Sequence, residues 1–205
     1  PEPDKAIDII REKCELVVMG NWDKSMISND CESKLLDWTR LKIGKERIAY
    51  LAALPNYVEF YISGKLMRLF HAAPNDVFFR TYIESPKEDR LKLFECTKTL
   101  DKESDIVGYG DIHGAHITYV DEKTVFNVGS VGNPLDINEA SYAVIEGNLN
   151  DHIKSSLSIS IVRVPYNIEL SISIAEESDM LDIEEYVKEL RTGKYRGKKS
   201  FKKYK

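Results

Sequence analysis

Cysteine is scarce in this chain: three residues, Cys14, Cys31 and Cys96, are widely spaced and form no C-x-x-C pair. That pattern excludes a disulfide framework and a zinc knuckle, and it points to a reducing compartment, with the cytoplasm as the default. Long apolar runs are missing too. None approaches the roughly 20 residues that cross a bilayer, so no membrane partner is expected. There is no signal-peptide pattern of basic start, apolar centre and small-residue cleavage site, no internal repeat and no low-complexity block. What is present is 42% hydrophobic residues in 205, enough for one sizeable core. A single soluble domain over residues 1–192 is expected, followed by a basic tail, 193–205. The tail is electrically separate, because residues 191–205 hold eight Lys or Arg and no acid while the whole chain carries −5. It reads as a solvated terminus, with attraction to nucleic acid or an anionic surface as the alternative; nucleic acid is not the expected partner.

Along the chain, Asp4 can cap a short helix with Ala6, Ile7, Ile9 and Ile10 facing a core. The run Glu15–Met19 reads as a strand that delivers a polar loop, Gly20-Asn21-Trp22-Asp23. Helices are expected over 28–39 and 45–54, burying Leu35, Leu36, Trp38, Ile48, Leu51 and Leu54, with Pro55 closing the second. Tyr57–Ile62 and Lys65–Phe70 flank Ser63-Gly64 as a β-hairpin whose second strand runs into His71. A charged helix is expected over Pro86–Thr99. Short strands follow at 105–109, 116–120, 124–128, 141–146 and 157–164, then helices over 169–177 and 181–191.

Asp105–Pro134, DIVGYGDIHGAHITYVDEKTVFNVGSVGNP, is where turn glycines, metal-competent side chains and strand-like blocks coincide. Asp111 and His113 lie on the turn that ends the first of these strands. In extended backbone they would point to opposite faces, but a turn can converge them. Carboxylate oxygen and imidazole nitrogen together suit Mn²⁺, Fe or Zn²⁺; the plainer alternative is a surface turn with a stray histidine. Three times a strand ends in a loop with possible ligands: Asn21 with Asp23, His71, and Asp111 with His113. Open α/β sheets collect their sites at the carboxyl ends of strands, so these residues can meet although they are distant in sequence.

In order, GNWD (20–23), LFHAAP (69–74), GYGDIH (108–113) and FNVGSVGNP (126–134) resemble the calcineurin-like metallophosphoesterase superfamily, over about residues 1–178. Within it the chain is similar to the small bacterial branch of phosphodiesterases and diadenosine-polyphosphate hydrolases. The resemblance implies an α/β fold, a two-sheet sandwich flanked by helices in four layers. It also implies two divalent metal ions, with Mn²⁺ ahead of Fe or Zn²⁺, and attack of a metal-bridging hydroxide on a phosphodiester or phosphoanhydride, such as a nucleotide polyphosphate. The implied metal ligands are Asn21, His71, position 111 and His113. The substrate partner is then a phosphorylated small molecule or nucleotide, and a homo-oligomer is compatible with the family.

This chain departs from the pattern in three ways. Position 111 is Asp where the family has His, which shifts metal preference toward harder ions and leaves His116 as a substitute donor. Trp22 stands where a histidine usually protonates the leaving group, and it has no proton of useful pKa; it is assigned to the substrate, stacking on a base, with packing under the metal loop as the alternative. Asp23 is assigned a catalytic role in orienting neighbouring groups. The opening D-x-H and G-D motifs are not found, so the chain is expected to be a fragment that lacks the first strand, helix and strand. A catalytically lapsed binding or regulatory module is the alternative function.

Overall fold

The computed structural model describes residues 1–28 and 33–195. Residues 29–32, expected at the start of the second helix, and 196–205, most of the basic tail, lie outside the described residues. The elements run α1 (Pro3–Lys13), α2 (Asn21–Ile27), α3 (Lys34–Ala52), β1 (Tyr57–Ile62), β2 (Lys65–Phe70), α4 (Lys87–Lys92) and β3 (Ile106–Tyr109). They continue with β4 (His116–Val120), β5 (Lys123–Asn127), β6 (Ala140–Glu146), β7 (Ser158–Val164), α5 (Ile168–Glu176) and α6 (Ile183–Thr192). No helix among them is long and apolar enough to cross a membrane.

A five-stranded mixed sheet ordered β1-β2-β3-β5-β4 forms the centre, and β6 and β7 form a second, two-stranded sheet. Ser63 and Gly64 both take positive φ, 50° and 77°, which matches the twist of a two-residue hairpin and sets the β1–β2 register. Strand alternation then sorts side chains to the two faces. On one face Phe70, Val107, Tyr109 and Val125 pack with Leu93 and Phe94. On the other Met67, Ile106 and Phe126 meet Ala143, Ile145, Leu157 and Ile159 of the second sheet. Gly108 belongs to that second face, where a Cβ would lie 2.3 Å from the Phe126 ring and 2.7 Å from Leu69. A third cluster, Met26, Leu36, Ile43 and Leu51, joins α2 to α3 with Ile7 of α1 against it. This is the expected α/β arrangement of two sheets with flanking helices.

Three local expectations need correction. Glu15–Met19 is not a strand: Met19 N–H donates to the Pro55 carbonyl at 2.8 Å, but no strand among the described residues lies beside the segment to form a ladder. Gly20–Asp23 is not a loop, because Gly20 caps α2 and the helix begins at Asn21. The charged helix stops at Lys92, short of Thr99. Its continuation fails because Leu93 and Phe94 turn into the core, while the fully buried Arg68 guanidinium collects the next carbonyls: Phe94 at 3.4 Å, Glu95 at 2.6 Å and Lys102 at 3.1 Å. Those bonds do for an irregular loop what an intrahelical ladder would otherwise have done. The two helices expected either side of residue 44 are both present within α3, with Gly44 at φ 72° and ψ 170° marking the break between them.

Candidate functional site

Strands β2, β3 and β5 run parallel, so their carboxyl ends share one edge of the sheet. His71 follows β2 directly. Its carbonyl accepts from both Gly110 N–H (2.9 Å) and Asp111 N–H (3.1 Å), which clamps the turn after β3 against the end of β2. From the other side the buried Asn127 of β5 donates Nδ2–H to the Gly110 carbonyl and accepts from Gly129 N–H, each at 2.9 Å. The position of Asp111 is therefore set by three strands at once.

The fourth contributor is α2. Gly20 N–H donates to Asp23 Oδ2 at 2.7 Å, a cap that fixes where the helix starts. A side chain at 20 would come within 3.3 Å of His71 Nδ1, so glycine lets the helix start lie against the imidazole. Asn21 Oδ1 accepts from Trp22 N–H at 2.8 Å and stands 3.1 Å from His71 Nε2. His71 Nε2 is 3.4 Å from Asp111 Oδ1. Asn21, on the first turn of α2, thus meets His71 and Asp111, which follow β2 and β3.

The remaining candidates sit otherwise. His113, at φ 56°, donates Nδ1–H to the Asn133 carbonyl at 2.8 Å, which leaves Nε2 with its lone pair. Burial pushes its pKa down against the opposing pull of the Asn133 carbonyl and Asp111, so the imidazole is neutral. Yet no three His, Cys, Asp or Glu side chains gather into a metal-holding group among the described residues, so His113 does not complete one with His71 and Asp111. His116 donates Nδ1–H to the Gly114 carbonyl at 2.9 Å and sets its ring edge-on to Tyr109. Trp22 is 47% exposed rather than packed beneath the loop. Asp23 serves the α2 cap.

Arg80 is what the sequence reading missed. Its Nε donates to Asp111 Oδ2 at 2.7 Å and its Nη2 to Asp111 Oδ1 at 2.9 Å, a two-pronged pair with the Asp111 side chain 2% exposed and the Arg80 side chain 39% exposed. Burial alone would raise the Asp111 pKa, but the Arg80 bonds, aided by His71, hold it below the ordinary carboxylate range; the same pair raises Arg80. A signal existed: Arg80 is the one basic residue between His71 and Pro86, and a buried acid where a neutral ligand is expected calls for a counter-cation. As a donor set, Asn21 oxygen, His71 nitrogen and Asp111 oxygen fit one hard-to-borderline divalent ion.

A family model described as the calcineurin-like phosphoesterase superfamily domain matches residues 4–149. The chain belongs to the calcineurin-like phosphoesterase superfamily. Members of this superfamily generally bind divalent metals and hydrolyse phosphoesters. The chain is 28% identical to an uncharacterized protein of Methanocaldococcus jannaschii over 196 residues, covering 82% of this chain and 72% of that one. Among solved structures it is similar in fold to a hypothetical protein of Pyrococcus horikoshii, with TM-score 0.69 and 17% identity over 97% of this chain and 81% of that one. A metallophosphoesterase of Sphaerobacter thermophilus gives TM-score 0.65 and 18% identity over 93% of this chain and 82% of that one.

Proposed function

We propose that this superfamily member is a metal-dependent hydrolase of a phosphodiester or phosphoanhydride, with a nucleotide polyphosphate as the leading substrate class and Mn²⁺ ahead of Fe or Zn²⁺. The observation that carries the reading is the meeting of Asn21 Oδ1, His71 Nε2 and Asp111 Oδ1 within 3.4 Å contacts at the carboxyl edge of the parallel strands. A divalent ion held there would supply Lewis-acid charge to a phosphoryl oxygen. The protein's own part is positional. Asp23 fixes the start of α2 and with it Asn21, and the His71 carbonyl fixes the turn that carries Asp111. Trp22 offers an exposed indole face to a base and no proton to a leaving group, which favours leaving groups that need little protonation.

A second reading is a lapsed member that binds a phosphorylated ligand without hydrolysing it. Arg80 favours it, because both Asp111 oxygens already face a guanidinium. The two readings separate on metal content and turnover of the purified protein. With Mn²⁺, a diadenosine polyphosphate and a p-nitrophenyl phosphodiester are offered to wild type and to His71→Ala. The hydrolase reading expects turnover that falls at least about a hundredfold in the variant, the scale of losing one stabilising group at a reacting centre. Metal-loaded wild type that turns over neither substrate rejects it in favour of the lapsed module.

A further inference from the structure

We propose that Arg80 is a built-in phosphate-binding cation of this site. The inference rests on the phosphate-binding part of the reading above and is independent of hydrolysis. An arginine has five N–H donors, of which two, on Nε and Nη2, are spent on Asp111. Tyr82 engages the guanidinium as well, so at most two remain. The burial of the pair is lopsided, the Asp111 side chain being 2% exposed and the Arg80 side chain 39%, so the carboxylate acts as the buried anchor and the arginine as the accessible partner.

The neighbours agree in sign. Asp111 is anchored between His71 and Arg80 and Asn21 is uncharged, and in these contacts Arg80 donates to one carboxylate only. Tyr82 is the other polar group beside the guanidinium. A planar guanidinium fixed along one edge is suited to take a tetrahedral anion on the other, since its orientation is already set before the ligand arrives.

The test is inorganic phosphate binding by ³¹P NMR and calorimetry in the presence of a chelator. Wild type should bind phosphate without metal. Arg80→Gln should weaken that binding about tenfold to a hundredfold, the worth of hydrogen bonds to a charged group. Because Arg80→Gln leaves Asp111 buried without its cation, a paired variant, Arg80→Met with Asp111→Leu, covers failure to fold; it leaves no orphaned charge and must lose phosphate binding as well. Equal phosphate affinity in wild type and either folded variant overturns the proposal, as does wild type that fails to bind phosphate in chelator. Turnover has no bearing on these outcomes: a protein that hydrolyses its substrate yet binds phosphate equally in Arg80→Gln defeats this inference and leaves the hydrolase reading standing.

Discussion

Replacing Arg68 by methionine tests how the loop that feeds β3 is held. The guanidinium is fully buried, pairs with Glu59 at 2.8 Å and donates to the carbonyls of Glu95 at 2.6 Å and Lys102 at 3.1 Å, with a longer contact to Phe94. Methionine keeps much of the volume but donates nothing. Glu59, whose side chain is 14% exposed, would keep only the Thr97 and Thr99 hydroxyls as partners. Breaking a buried pair from one side costs about 3–5 kcal/mol, and each carbonyl left unsatisfied adds up to about 1–3 kcal/mol before the loop relaxes toward water. Relaxation of the loop recovers part of that, so we set the net loss at about 4 kcal/mol. For a chain of this size each kcal/mol moves Tm by about 2–4 °C, which gives a fall of about 8–16 °C in a calorimetric or circular-dichroism melt. Arg68→Met combined with Glu59→Gln should regain part of the loss, because the stranded carboxylate is removed. A single variant that melts within about 3 °C of wild type, about one kcal/mol on this scale, refutes the claim that Arg68 holds residues 94–102.

Gly108→Ala should destabilise by about 1–3 kcal/mol through overpacking, since its Cβ would lie 2.3 Å from the Phe126 ring in the middle of the sheet; an urea titration with an unchanged midpoint contradicts this. The Asp111–Arg80 pair makes a prediction in pH, measured in chelator. The folded pKa of Asp111 lies below its ordinary value, so the stabilisation is present above the unfolded pKa of about 3.9 and is lost as pH falls through the folded value. The stability gap between wild type and Asp111→Asn should therefore be constant near neutrality and close as pH drops below about 4; a gap that stays constant down to pH 3 rejects the ion pair as its source.

Local signals decided much of this protein. A β-branched run can be recognised wherever it lies, and a Ser-Gly pair between two such runs dictates a two-residue hairpin, so β1, β2, β3 and the later strands stand where periodicity places them. The polar residues after β2 and β3, His71 and Asp111 with His113, were legible because parallel strands open their carboxyl ends on one edge, whereas Asn21 arrives on the first turn of α2 and not at a strand end. What sequence could not decide were outcomes that depend on distant partners. Glu15–Met19 has the composition of a strand, yet strand formation needs a neighbour, and among the described residues it has one backbone bond to Pro55. The residues after Lys92 have helical composition, but a guanidinium from β2, 26 residues before Phe94, takes their carbonyls. Arg80 lies 31 residues from Asp111 in an irregular loop, and only the folded chain brings the two together. Tertiary structure thus settled which charge meets Asp111, because electrostatic pairing depends on separation in space and the loop that sets it has no period to read.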